Sequence, residues 1–450
     1  MKALKTFFVF GALCFLLPLS PVQAAFAGTV DTSQHQTDDD KNWLQWRGEG
    51  RQAHAKSTGL LSDWKETKPK HLWTGEGAGL GYASLSISEG RIFTVGNYSD
   101  NQGIVAFSQK DGSLLWQTEL TDSVPDHSYV GSRGTPTISG DKLYTVTSNG
   151  AIHCLKVDDG KVVWSRDFTD WGGKSMSAWG FAESPLVDGD HVICTPGGAK
   201  GLLVALNKET GETVWSCQSS FDQLNQRQKE GAGYCSMVIS NAGGIKHYVQ
   251  LFGRGLVGVR ASDGELLWHY AGISNASANI PTPIVVDDYV FASNAYSSGA
   301  ALLKISKDGE GLKAEEIYTM EGRIFQNHHG GMVRIGDYIY SGHRQNNGIP
   351  ICIEWKTGKV QWGGKKRGAG RGSAAILYAD GNLIYRYQDG MIALIEATPD
   401  SYKLKGTFKP DFQEGNTWAH PVIVAGKLYL RENDKIMCYD LKVAPDEGAK

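Results

Sequence analysis

The chain has 450 residues, 45 Lys and Arg against 48 Asp and Glu, and a formal net charge of −3, with no basic tract suited to nucleic acid. Past the N-terminal region no segment approaches the run of roughly 20 apolar residues that crosses a bilayer, so no membrane span is expected. Length alone would suggest two or three domains, but 56 glycines imply many tight turns, and the internal repeat described below overrides the division.

Residues 1–27 read as a secretory signal peptide. Lys2 and Lys5 supply the positive end, 6–17 the apolar run, and Ala24 or Ala27 the cleavage site. Cys14 lies inside the apolar run after Leu13, which does not suit lipoprotein processing. Cleavage takes the net charge from −3 to −5, because Lys2 and Lys5 are the only charged residues removed. The expected location is the periplasm or beyond. Residues 28–41, with Asp38-Asp39-Asp40, read as a polar linker. Residues 42–69 begin with Trp43-Leu-Gln-Trp46-Arg47, too aromatic for a free tail. They read as a cap packed on one face of the following domain, with Gln45 or Arg47 reaching its centre as the alternative.

From residue 70 to 442 one pattern recurs: a small residue, then Gly, then Trp. The tryptophans are Trp116, Trp164, Trp215, Trp268 and Trp362, each four residues after Gly112, Gly160, Gly211, Gly264 and Gly358. The small residues are Ala106, Cys154, Ala205, Gly258 and Cys352. A period near 50 residues with alternating apolar runs predicts an all-β propeller of four-stranded antiparallel blades. In 151–167, Asp159-Gly160 marks a tight turn between two strands, and Trp164 falls on the outermost one. Trp73, Tyr318 and Phe408 fill the gaps in the Trp series. The chain ends one strand short of a blade, while 70–74 is an outer strand without one. Their pairing gives eight blades and a ring closed by the N-terminal strand, leaving no open edge. Residues 443–450 read as a tail.

Six cysteines remain in the mature chain. Cys154, Cys352 and Cys438 hold the small-residue position, which argues for packing. Cys217 and Cys235 are the one pair considered for a disulfide.

Residues beginning each inner strand gather at one mouth of the channel. They include Tyr82, Arg133, Trp179, Glu183, Tyr234, Asn279, His328, His329, Arg371, Trp418 and His420. Turn chemistry does not select Arg, His or Trp, so a ligand site is expected. The alternative is that these groups fill a hydrated channel and pair with each other, as Glu183 with Arg133. Two arginines suit a small polar or anionic ligand, and His329 and His420 are candidate proton-transferring groups. Glu183 and Asn279 are candidate oxygen ligands for calcium. His328 and His329 do not suit a shared metal, since neighbours on a strand point to opposite faces.

The repeat, as in Ala205-Leu-Asn-Lys-Glu-Thr-Gly211-Glu-Thr-Val-Trp215, resembles that of pyrroloquinoline-quinone (PQQ) enzymes and their non-enzymatic relatives over nearly the whole mature chain. Segments such as Asn327-His-His-Gly-Gly331 and Trp418-Ala-His-Pro421 resemble secreted bacterial quinoprotein-like propellers. The enzyme resemblance implies PQQ with Ca²⁺, Glu183 on the calcium, Trp179 or Trp418 beneath the quinone and Arg371 at its oxygens, in an alcohol or sugar dehydrogenase. No vicinal cysteine pair and no matching catalytic Asp accompany it. The second relative, the propeller lipoprotein of outer-membrane protein assembly, implies a non-catalytic scaffold that binds a protein partner at the propeller rim.

Overall fold

Each Gly-x-x-x-Trp copy closes the hairpin between the third and fourth strands of a sheet, and the hairpin explains the motif. In the computed structural model, which describes Met1 and residues 40–218 and 228–443, the described residues form eight four-stranded antiparallel sheets. Seven are consecutive: blades 1 to 7 span 86–119, 137–167, 186–216, 238–270, 284–320, 332–363 and 374–408. Blade 8 takes three strands from 422–440 and its outermost from Lys70–Glu76, paired from Lys70 opposite Asp440 to Glu76 opposite Lys435 with one register shift between His71 and Trp73. The expected closure of the ring is therefore seen. The signal peptide, most of the linker and the tail lie outside the described residues. Asp40, at the end of the expected linker, is already docked: its carboxylate accepts from the Ser57 hydroxyl at 2.7 and 2.8 Å.

Within a blade the small residue sits directly opposite the Trp, as Ala106 opposite Trp116, Cys154 opposite Trp164 and Cys352 opposite Trp362. A register shift follows at once, and this bulge turns the outer strand. The indole then lies on the hairpin glycine of the next blade. A Cβ on Gly160 would come 2.5 Å from Trp116, and one on Gly211 would come 2.7 Å from Trp164. Both glycines also have φ near +70°, so each is needed for its turn and for the platform it offers. The indole N–H reaches a main-chain carbonyl of that next blade: Trp116 to Val157 at 3.1 Å, Trp164 to Lys208 at 3.0 Å, Trp215 to Ala261 at 3.1 Å and Trp362 to Thr398 at 2.8 Å. Tyr318 reproduces the bond with its hydroxyl on the Trp355 carbonyl at 2.5 Å. Trp73 lies on Gly112 and joins blade 8 to blade 1.

Three blades depart from the rule. The outer hairpin of blade 5 is long, Gly299–Asp308 and Gly311–Met320, and Gly309 at its tip meets nothing within 4 Å. Trp268 of blade 4 tips inward instead, onto Gly258, where a Cβ would stand 2.0 Å from its indole nitrogen. In blade 7 the register equivalent of the Trp is Gly406, opposite Leu394, and not Phe408. The aromatic comes from the N-terminal segment. Trp64, 1% exposed, covers Gly406 and meets Phe408 edge-on at 5.3 Å, and Phe408 in turn meets Tyr439 of blade 8 at 5.2 Å.

The six described cysteines are buried and free. This corrects the considered Cys217–Cys235 disulfide: Cys217 follows the outer strand of blade 3, whereas Cys235 precedes the inner strand of blade 4. Burial pushes the Cys154, Cys352 and Cys438 thiols up to about 12, as packing residues. No helix among the described residues is long and apolar enough to cross a membrane.

Candidate functional site

The N-terminal segment does more than cap a face. Trp43 bridges to Ile87 of blade 1, and the Leu44 carbonyl accepts the Ile138 N–H of blade 2 at 2.8 Å. Arg51 donates to the carbonyls of Pro185 at 2.6 Å and Met237 at 2.8 Å, at the starts of blades 3 and 4. The Trp46 indole donates to the Thr282 hydroxyl at 3.0 Å, and Arg47 donates to the Met332 carbonyl, at blades 5 and 6. One short segment can meet six successive innermost strands only on the channel axis, so 43–51 plugs the channel. The turn is tight: Arg47, Arg51 and Ala53 have φ of 60°, 58° and 58°, conformations that cost a non-glycine residue about 1–2 kcal/mol each.

The plug separates two cavities. On one side, about 300 Å³ is bounded by Gln45, Arg51, Arg334 and apolar inner-strand residues. Each nitrogen of Arg51 has a partner there, its Nε–H being held by Gln45 at 3.1 Å. On the other side, at the mouth formed by the residues that begin the inner strands, lies a cavity of about 240 Å³.

This second cavity gathers most of the residues expected from the sequence: Arg133, Trp179, Tyr234, His328, His329, Trp418 and His420 all line it, as does Tyr82. Trp418 is the hub of its wall, with Tyr82, His329 and Tyr129 at 4.8, 5.1 and 5.2 Å. Trp179 and Tyr234 pack edge-on at 5.7 Å, and Trp46 lies 4.5 Å from His420 as the floor. Tyr129 and Tyr296, which the sequence reading did not select, complete the wall, and their φ values of 53° and 55° are left-handed. Strain of this kind concentrates at binding sites. The legible signal was an aromatic placed in a connection that turn chemistry alone would fill with polar residues.

His328 and His329 both face the cavity, their rings 4.4 Å apart, which corrects the expectation of opposite faces. They stand in the connection before the strand Met332–Ile335, where strand alternation does not apply. All three histidines are held neutral by burial: His328 falls to about 4, His420 to about 3, and His329 lies well below the usual range, with the neighbouring imidazoles and Arg133 adding to the effect. His420 Nε2 donates to the His329 carbonyl at 2.9 Å, so its Nδ1 carries the lone pair. His328 Nε2 lies 3.2 Å from the Tyr296 hydroxyl.

Three expected residues are elsewhere. Glu183 is buried and turned into blade 3, accepting from the Thr195 N–H at 2.6 Å, the Thr195 hydroxyl at 2.8 Å and Gln250 at 3.1 Å. Burial raises its pKa to about 7, with the Thr195 hydrogen bonds and the Arg51 charge opposing the rise. It does not pair with Arg133. Asn279 is consumed by main-chain satisfaction: its amide donates to the Phe252 carbonyl at 2.9 Å and its oxygen accepts the Asn275 N–H at 3.0 Å. Arg371 is exposed on the connection between blades 6 and 7 and does not line the cavity. Arg133 does line it, but Nη1 and Nη2 are bound to the carbonyls of Gly131, Trp179, Ser128 and Tyr129 at 2.6–3.2 Å. It contributes charge more than free donors.

The remaining guanidinium is that of Arg47. It is 4% exposed, burial lowers its pKa only to about 10, and Nη1, above Gly331, has no hydrogen-bond partner. His329 Nε2 and Trp418 Nε1 are likewise unpartnered. The lining among the described residues holds two arginines, neutral imidazoles and hydroxyls, and no Asp or Glu. Calcium requires hard oxygen ligands, usually carboxylates. Glu183 and Asn279 are committed elsewhere, and no group of three His, Cys, Asp or Glu among the described residues could hold a metal. The donor set therefore does not fit PQQ with Ca²⁺.

Residues 45–170 and 100–363 match the family described as outer membrane protein assembly factor BamB. The chain belongs to this PQQ-repeat propeller family. Among curated relatives, BamB of Yersinia pestis is 27% identical over 57% of this chain and 65% of its own length. Quinoprotein ethanol dehydrogenase of Pseudomonas putida is 32% identical over 29% of this chain and 21% of its own length. The chain thus spans less than two thirds of either relative. Among solved structures, BamB from Moraxella catarrhalis superposes with a TM-score of 0.53 at 15% identity, covering 79% of this chain and 95% of that one. Quinohemoprotein alcohol dehydrogenase from Comamonas testosteroni gives 0.62 at 12% identity, covering 91% and 82%. These structural likenesses establish the propeller fold that the family members share.

Proposed function

We propose that the protein is an exported PQQ-repeat propeller that binds a small anionic ligand in the plugged cavity, without calcium–quinone dehydrogenase chemistry. One observation carries this: the buried Arg47 guanidinium, with an unpartnered N–H, in an aromatic cavity free of carboxylates among the described residues. A buried charge without a counter-charge is costly, and a bound carboxylate would supply both the charge and the missing acceptor. The neutral histidines and hydroxyls would orient the ligand, with the Nδ1 lone pair of His420 as one acceptor. Deacidified walls of Tyr and Trp suit a ligand with a flat face.

The test is calorimetric titration of the purified protein with PQQ, with and without Ca²⁺, and with uronic acids. Binding of an acid that Ca²⁺ does not strengthen, and that Arg47→Gln abolishes, supports the reading. Ca²⁺-dependent PQQ binding with dye-linked alcohol oxidation would replace it with the enzymatic one.

A second reading, a scaffold binding a protein partner at the rim, is favoured by the exposed apolar residues Leu114, Leu115, Val162, Val163 and Val214 on the outer strands of blades 1–3. Such edges accept an added strand. Crosslinking from these positions to a co-purified protein, with the cavity variants unaffected, would establish it.

A further inference from the structure

The connection between blades 6 and 7, residues 364–373, carries Lys365, Lys366, Arg367 and Arg371. All four are exposed, and none forms an ion pair among the described residues. The glycines of the same connection have a structural purpose. A Cβ on Gly368 would lie 2.0 Å from the Tyr387 hydroxyl, and one on Gly370 would lie 2.4 Å from its ring, so both permit close packing on blade 7. The cations take no part in that packing. Among the described residues, the acid hydrogen-bonded to the connection, Asp389, accepts the main-chain N–H groups of Arg371 at 3.0 Å and Met391 at 3.2 Å.

The connection ends on the cavity wall. The Ser373 hydroxyl lies 3.3 Å from the Asn346 side-chain oxygen and 3.4 Å from His328 Nδ1, and Asn346 and His328 both line the cavity. Arg371 is two residues from that contact. The connection that carries these four cations, with no ion pair among the described residues, therefore ends at the cavity that holds the unpartnered Nη1 of Arg47. The cavity, about 240 Å³, falls below the roughly 300–1,000 Å³ of sites for drug-sized ligands. It admits one ring-sized group, and anything larger must run outward.

We propose that the ligand is an acidic oligosaccharide. One uronic-acid ring enters the cavity with its carboxylate on Arg47 and its flatter face on Trp46 or Trp418, and the following acidic rings pass over Lys365–Arg367 and Arg371. A sugar fits the wall because it offers an apolar face to the indoles and hydroxyls to Thr282, Asn346 and the neutral imidazoles. A polymer with one carboxylate per ring fits a row of cations that nothing else neutralises. This rests on the anion-binding reading of the cavity above.

The test compares galacturonic acid with trigalacturonate by calorimetry at two salt concentrations. The wild type is expected to bind the trimer at least about tenfold more tightly than the monomer, a difference of about 1.4 kcal/mol, and the advantage should shrink at high salt. The triple variant Lys365→Ser, Lys366→Ser, Arg367→Ser should lose the advantage and keep monomer affinity, and Arg371→Ser alone should lose part of it. Arg47→Gln should lose both ligands. If monomer and trimer bind the wild type equally, or the triple variant keeps the preference, the oligosaccharide proposal is overturned while the cavity reading stands. If the monomer does not bind, both fall. Loop-dependent binding to phosphatidylglycerol vesicles without any trimer preference would make the loop a lipid contact and also overturn it.

Discussion

Arg47 and Glu183 show how burial alone assigns opposite roles to two charged side chains a few residues from the channel axis. Arg47 keeps its charge and lacks one partner, so it is poised for an anion. Glu183 has three donors and still rises to about 7, because desolvation outweighs them. A carboxyl whose folded pKa lies above its unfolded value stabilises the fold fully below about 4.5, and that contribution is lost as pH climbs through about 7. Relative to Glu183→Gln, the wild type should therefore lose about 1–3 kcal/mol of stability between pH 5 and pH 8. Urea denaturation of both proteins at the two pH values measures this, and a pH-independent difference would contradict the assignment. The histidines run the other way. With folded values of about 3 for His420 and about 4 for His328, stability is complete above about 6.5 and falls as acid is added through those values. Ligand affinity should hold constant from pH 6 to 8, where neither imidazole titrates, and a step near neutrality in the binding isotherms would show that one of them does.

At the level of the blade, the repeat motif is an inter-blade joint built from a Trp, the small residue that backs it and the glycine that receives it. Truncating Trp116, Trp164 or Trp215 to Ala should cost about 3–5 kcal/mol, the range for large core deletions, without altering ligand affinity of the folded protein. Trp64→Ala should cost as much, since Trp64 takes over the joint that Gly406 leaves empty; thermal unfolding compares the four directly. Gly258→Ala is the inverse probe. Blades 1 and 3 carry Ala at this position, but here the new methyl meets the Trp268 indole, so a loss of about 1–3 kcal/mol is expected from overpacking. The sequence made the blades legible because each joint is local, fixed by spacing around one hairpin. It misplaced Phe408 because spacing cannot reveal that the aromatic of that joint arrives from residue 64. For the same reason the aromatic mouth was legible from the starts of the inner strands, whereas Glu183, Asn279 and Arg371 were placed there wrongly. Position along a strand fixes where a side chain begins but not which hydrogen bonds claim it.

For the whole molecule, the N-terminal region serves three long-range purposes: it plugs the channel with 43–51, fills the blade 7 joint with Trp64 and closes the ring with Lys70–Glu76. Deleting residues 28–74 should thus cost far more than any single Trp, leaving blade 8 with three strands and an open edge. Calorimetry should show a lowered and broadened transition, and a truncated protein that melts like one retaining residues 28–74 would refute the closure as a source of stability.

Ring closure also sets a clock on folding. The strand Lys70–Glu76 is synthesised before all of blades 1 to 7, and its partner Lys435–Asp440 only after them. Until then the early strand has no sheet to join, and contacts this distant in sequence form slowly. Completion of blade 8, and not collapse of the individual blades, becomes the committing step. Protease resistance around residues 70–76 should appear only once residues 422–440 are free to fold, and a nascent chain stalled before blade 8 should leave that strand open to cleavage however well its other blades have formed.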